Sequence, residues 1–113
     1  QDDFFCDYQR MYMIASILGC SEAPQQAVVK CLQWLNNNSI GFETRALCAI
    51  FAAKFGTAQQ KRVVRLQYQN EASEYVRSAI LFSAQYFPVA EKRSAKLAWG
   101  GQSVINSWIS EVI

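Results

Sequence analysis

A chain of 113 residues, 51% of them apolar, with a formal charge of +2, has the size of one domain and enough apolar mass for a core without disulfide staples. The absence of histidine removes the commonest neutral-pH general base and metal ligand, and the net charge is too small to point to nucleic acid by itself. No stretch approaches the roughly 18 uninterrupted apolar residues of a membrane span, and no charged leader precedes an apolar signal core.

The first expected helix covers residues 4–19 and ends near Gly19, a residue suited to the position just past a helix. Ser21 is the expected cap of a second helix, with Pro24 in its first turn, which decays in Asn36-Asn37-Asn38. A third helix over 41–55 stops at Gly56, and Thr57 caps a fourth over 58–69. The fifth spans 72–87, with Ser73 as cap and Pro88 closing it. The sixth, 89–99, ends in Gly100-Gly101, and the seventh runs from near Ser103 to the end of the sequence. Apolar residues at three- and four-residue steps support this reading: Leu47, Ile50, Phe51 and Phe55 in the third, Val76, Ala79, Ile80 and Phe87 in the fifth, and Val104, Ile105, Trp108 and Val112 in the last. Short connections make neighbouring helices roughly antiparallel.

Two helix types alternate. Arg10, Arg45 and Arg77 each sit just inside an apolar run, in YQRMYMIASIL, FETRALCAIFAAKF and EYVRSAILFSAQYF, at spacings of roughly 31 to 35 residues, within the range of helical solenoids. Between and after them, QQAVVKCL, QKRVVRLQ and EKRSAKLA place Lys30, Arg65 and Lys96 at equivalent positions. The expected fold is therefore all-α: a single domain over residues 1–113, built as a short right-handed solenoid of about three stacked antiparallel helix pairs, each contacting mainly its neighbours. Because the sequence begins with the polar QDDFF and no Met, it reads as a fragment of a larger protein.

Three constellations bear on function. Arg10, Arg45 and Arg77 follow Asp7, Glu43 and Glu74 by two or three positions and read as a structural ladder, each Arg reaching a carboxylate or loop carbonyl of the adjoining repeat. Lys61, Arg62 and Arg65 stand at i, i+1 and i+4 of one helix, and Lys92, Arg93 and Lys96 repeat the arrangement. With Lys30 they make a basic ridge that can track nucleic-acid phosphates or remain a solvated face. Of the aromatics Trp34, Tyr68, Tyr75, Tyr86, Trp99 and Trp108, most are expected to pack between repeats, with Tyr68 and Trp99 the best candidates for stacking on bases.

No two of Cys6, Cys20, Cys31 and Cys48 form a C-x-x-C pair. The last three read as small hydrophobes on helices in a reducing compartment, the cytoplasm, and no metal or other cofactor is expected. No nucleophile elbow, phosphate-cradling Gly loop or acid pair at catalytic spacing occurs, so no catalytic residue is assigned.

The segments FETRALCAIFAAKFG and EYVRSAILFSAQYFP resemble the second helix of HEAT-like repeats at Thr44-Arg45-Ala46 and Val76-Arg77-Ser78-Ala79, although the regular Asp and Pro of HEAT turns are missing. The C-terminal EYVRSAILFSAQYFPVAEKRSAKLAWGG resembles the helical extension that follows the polymerase domain of some bacterial reverse transcriptases, including defence-associated ones. That likeness implies an accessory role in an RNA-directed DNA polymerase: docking on the catalytic domain, holding RNA or DNA, or assembling a complex. The expected function is a non-catalytic module that contacts nucleic acid through Lys30, Lys61, Arg62, Arg65, Lys92, Arg93 and Lys96, the alternative being a protein–protein scaffold that uses a helical groove or an exposed end.

Overall fold

In the computed structural model, which describes residues 7–113 (of Asp7 the backbone alone), every regular element is helical. The expected first turn at 4–6, Cys6 and the Asp7 side chain lie outside the described residues. The helices are α1 (Asp7–Leu18), α2 (Gln25–Leu35), α3 (Phe42–Phe55), α4 (Ala58–Asn70), α5 (Glu74–Ser83), α6 (Val89–Trp99) and α7 (Val104–Val112), with a 3-10 turn at Ala84–Tyr86. None among the described residues is long and apolar enough to cross a membrane.

Local chemistry sets most starts. Thr57 closes a capping box with Gln60, its hydroxyl accepting from the Gln60 amide while the Gln60 side chain accepts from the Thr57 amide. Ser73 and Ser103 cap α5 and α7 by accepting from the amides three residues on. The start of α2 differs from expectation: Pro24, not Ser21, occupies the cap position, and the helix begins at Gln25. A proline there brings the fixed φ that suits helix entry and supplies no side-chain acceptor. The fifth helix is shorter than its pattern, because after Ser83 the chain tightens into the 3-10 turn ahead of Pro88. Cys20 also differs; it lies in the exposed turn after α1, whereas Cys31 and Cys48 are buried. Hydrogen bonding to Cys31 and burial push the Cys48 thiol far up, so it packs as a neutral hydrophobe.

The odd-numbered helices form a row in which α1 packs on α3, α3 on α5, and α5 on α7. They run parallel. Lys54 Nζ near the end of α3 donates to Leu18 O at the end of α1 (2.6 Å), Phe42 meets Tyr75 edge-on at the starts of α3 and α5 (5.2 Å), and Ser78 Oγ donates to Asn106 Oδ1 between α5 and α7 (2.7 Å). The even helices lie behind: α2 against α3, α4 against α3 and α5, and α6 against α5 and the 3-10 turn. An open groove lined by Leu32, Leu35, Val63 and Leu66 separates α2 from α4. The row is thus the continuous part of the core, and α3 is its centre: Ala46, Ala49, Ala52 and Ala53, all buried, let its neighbours approach closely.

A buried ion pair fixes the middle. Arg45, in the first turn of α3, stands at the wrong end of that helix's dipole for a cation. The residue is 5% exposed, and its Nη1 and Nη2 donate to the two carboxylate oxygens of Glu71 (Nη1–Oε2 3.0 Å) while Nε donates to Leu35 O at the end of α2 (3.0 Å). Glu71 also accepts from Gln67 Nε2 (3.0 Å) and the Ser73 amide (3.1 Å). Arg77 Nη1 then donates to Glu71 O (2.6 Å) and Ala72 O (3.1 Å). One ion pair therefore ties α2, through Arg45 Nε, to α3, α4 and the start of α5. Burial alone would raise its pKa, but the bonds from Arg45, Gln67 and Ser73 outweigh it and hold the carboxyl below the usual glutamate value.

Arg45→Met leaves Glu71 charged and unpaired in the core, at an expected cost of about 3–5 kcal/mol in urea unfolding. The double variant Arg45→Met/Glu71→Leu is expected to lose much less. Because the folded-state pKa of Glu71 is depressed, its contribution is complete above about pH 4.3 and is lost as pH falls through the lower folded value. Stability measured against pH should fall less steeply in that acid range for Glu71→Gln than for the parent chain.

Candidate functional site

An apolar groove of about 490 Å³ lies on the open face of the row, between α3, α5 and α7. Its floor and walls include Leu47, Ile50, Ala79, Phe82, Ile105 and Ile109. It arises from residue size. Ala46 and Ala79 leave room where larger side chains would close the seam between α3 and α5, and the seventh helix is held a fixed distance away by a polar bridge. In that bridge Asn106, 3% exposed, accepts from Ser78 Oγ and donates through Nδ2 to Tyr68 Oη (3.1 Å) and Trp99 O (3.0 Å). Tyr68 Oη in turn donates to Gln102 Oε1 (2.5 Å). The orientation of α7 is thus set by directional bonds, and its apolar stripe is left uncovered: Val104, Ile105, Trp108 and Val112 are all at least half exposed.

Charge at the groove is one-sided. Among the described residues its carboxylates are Glu43 and Glu74, both exposed, in the first turns of α3 and α5, and no described Lys or Arg lines it. Tyr75 and Ser103 complete the same rim. An apolar trough with a few convergent polar groups is the usual form of a ligand or helix-binding site.

The seven basic residues expected to form a ridge are placed as follows. Lys92, Arg93 and Lys96 line one shallow groove on α6 together with Val89 and Leu97, which are 70% and 83% exposed. On α4 the cations have partners within the chain. Lys61 Nζ donates to Ala53 O in the last turn of α3 (2.7 Å), where a cation complements the helix dipole, and desolvation lowers its pKa. Arg62 Nη1 donates to Gln59 Oε1 (3.1 Å), and Arg65 Nε lies 3.5 Å from Glu91 Oε1 of α6. Lys30 is half-buried on α2.

Arg10, at the start of α1, has its guanidinium 5.5 Å from the centre of the Trp34 ring. Tyr68 and Trp99, expected as the best candidates for base stacking, stack on each other (3.9 Å between centroids, 2° between planes) and are buried. Their faces are used within the fold. The sequence reading missed three features: Glu71 as the partner of Arg45, the Asn106 bridge, and Glu43 and Glu74 as the rim of a groove. Two carried a signal, since Glu71 is the lone acid between Glu43 and Glu74, and Asn106 interrupts the apolar stripe of VINSWISEVI.

Compared with known protein families, curated proteins and solved structures, the chain matches none.

Lys61→Met removes the bond to Ala53 O and is expected to cost about 0.5–1.5 kcal/mol of stability. The same change at exposed Arg93 should shift the urea midpoint by no more than the error of the measurement.

Proposed function

We propose that the chain is an interaction module, a short array of helix pairs whose odd-helix face docks a partner's helix in the groove between α3, α5 and α7. The observation that carries this reading is the pairing of an apolar trough of about 490 Å³ with a rim whose charges, among the described residues, are Glu43 and Glu74. Burial of two or three aliphatic anchors there would supply about 1.5–3 kcal/mol each, and the glutamates would select a helix bearing cations and set its register. The test is a methyl NMR titration with a stapled helical peptide carrying leucines at i, i+4 and i+8 and lysines between them. Saturable shifts at Leu47, Ile50, Ile105 and Ile109 are expected, with loss of binding in Ala79→Phe, which fills the trough while leaving the thermal midpoint within a few degrees. Shifts confined to the α2–α4 side, or no saturation, would contradict it.

A second reading follows from Lys92, Arg93 and Lys96 sharing one groove on α6: a phosphate-tracking face for RNA or DNA, as the likeness to the region beyond bacterial reverse-transcriptase polymerase domains implies. Three phosphate contacts on a single strand predict that log K falls with log salt at a slope of roughly −2. A titration of labelled single-stranded RNA at several salt concentrations checks this, and the reading fails if Lys92→Glu/Lys96→Glu binds as tightly as the parent.

A further inference from the structure

We propose that the occupant of the groove is α6 of a second copy of this chain, so that copies associate head to tail. This inference rests on the groove being a docking site and adds the identity of what docks. The two surfaces are complementary in three respects. In charge, the groove presents Glu43 and Glu74 and, among the described residues, no cation, while the α6 face presents Lys92, Arg93 and Lys96. The one carboxylate of α6, Glu91, is turned aside to Arg65 of α4, which leaves that face purely cationic. In apolar content, Val89 and Leu97 are among the most exposed aliphatic side chains of the described residues, and they flank the three cations as anchors for the trough. In length, Val89 to Leu97 on α6 and Glu74 to Phe82 on α5 each span about 12 Å of helix at about 1.5 Å per residue.

The exposed face of α7 is a poorer occupant. Its single charge is Glu111, and no cation follows Lys96 in the sequence, so a second copy's α7 would bring a carboxylate to a rim of carboxylates. Groove and α6 face share no residue, so each copy can give one surface and take the other. The interface is heterologous, and it generates rings or open chains rather than a closed two-fold dimer.

The experiment is sedimentation velocity on the parent chain and two charge-reversed variants, alone and mixed. The parent is expected to associate with rising concentration, and more weakly as salt screens the pairs. Glu43→Lys/Glu74→Lys and Lys92→Glu/Arg93→Glu/Lys96→Glu should each be monomeric alone, and their equimolar mixture should associate again, because each then offers what the other's altered surface needs. Circular dichroism is the control, with both variants expected to remain helical, and Leu97→Asp, which changes an exposed residue, is expected to give an independent loss of association. A parent chain that stays monomeric overturns the proposal, as does association that survives either reversal or a mixture that does not recover it. A monomeric parent that still binds the stapled peptide would retain the groove as a site for a foreign cationic helix. RNA binding by the α6 face that Glu43→Lys/Glu74→Lys leaves unchanged, with no self-association, would assign that face to phosphate.

Discussion

The Arg45–Glu71 pair is the constraint on which the remainder of the structure depends. A charged residue in the first turn of the most buried helix would be untenable alone, since its desolvation costs several kcal/mol. Here each donor of its guanidinium that faces the core has an acceptor: Nη1 and Nη2 on the Glu71 carboxylate, and Nε on a carbonyl that α2 leaves without a helical partner at its C-terminus. Glu71 lies just past α4, and its backbone carbonyl accepts from Arg77 of α5. The pair therefore decides where two even helices end relative to two odd ones. Apolar packing alone would leave that register loosely specified.

From that fixed centre the two sides of the molecule develop differently. The odd helices pack in a continuous parallel row because alanines and buried branched residues line their contacts. The even helices are joined to the row but only weakly to one another, with an open groove between α2 and α4 and a single half-exposed ion pair, Arg65–Glu91, from α4 to α6. A partly exposed pair of this kind adds little stability. Its consequence lies in orientation, since it draws Glu91 off the face of α6 that Lys92, Arg93 and Lys96 occupy. The seventh helix is placed by the Asn106 bridge, and an apolar trough remains where α3, α5 and α7 do not meet.

The helices were legible in the sequence because their boundaries are chemical. Thr57, Ser73 and Ser103 supply cap oxygens, and Gly56 and Gly100 stand just past helix ends. At Gly56 the requirement is steric, for a Cβ there would lie 2.3 Å from the Ala52 carbonyl oxygen. Where a boundary depends on something other than a cap, the reading slipped, as with Pro24 ahead of α2 and the tightening after Ser83. The site was legible only in part. That Lys92, Arg93 and Lys96 share a face follows from helical spacing alone. That Lys61 is drawn to Ala53 O, that Arg65 meets Glu91, and that Tyr68 and Trp99 cover each other follow from how distant segments pack, which a local pattern does not encode. The groove is legible least of all, being defined by the distance between three helices rather than by any one of them.

In the proposed head-to-tail association, the acid-rimmed trough of one chain docks the cationic, aliphatic face of another. Isotope-filtered NOEs on an equimolar mixture of labelled and unlabelled chain test it most directly. Intermolecular contacts are expected from the methyls of Val89 and Leu97 to those of Leu47, Ile50 and Ile105. Intermolecular contacts that join other surfaces, such as the exposed stripe of α7 to itself, or none at a concentration where the groove would be filled, would contradict it.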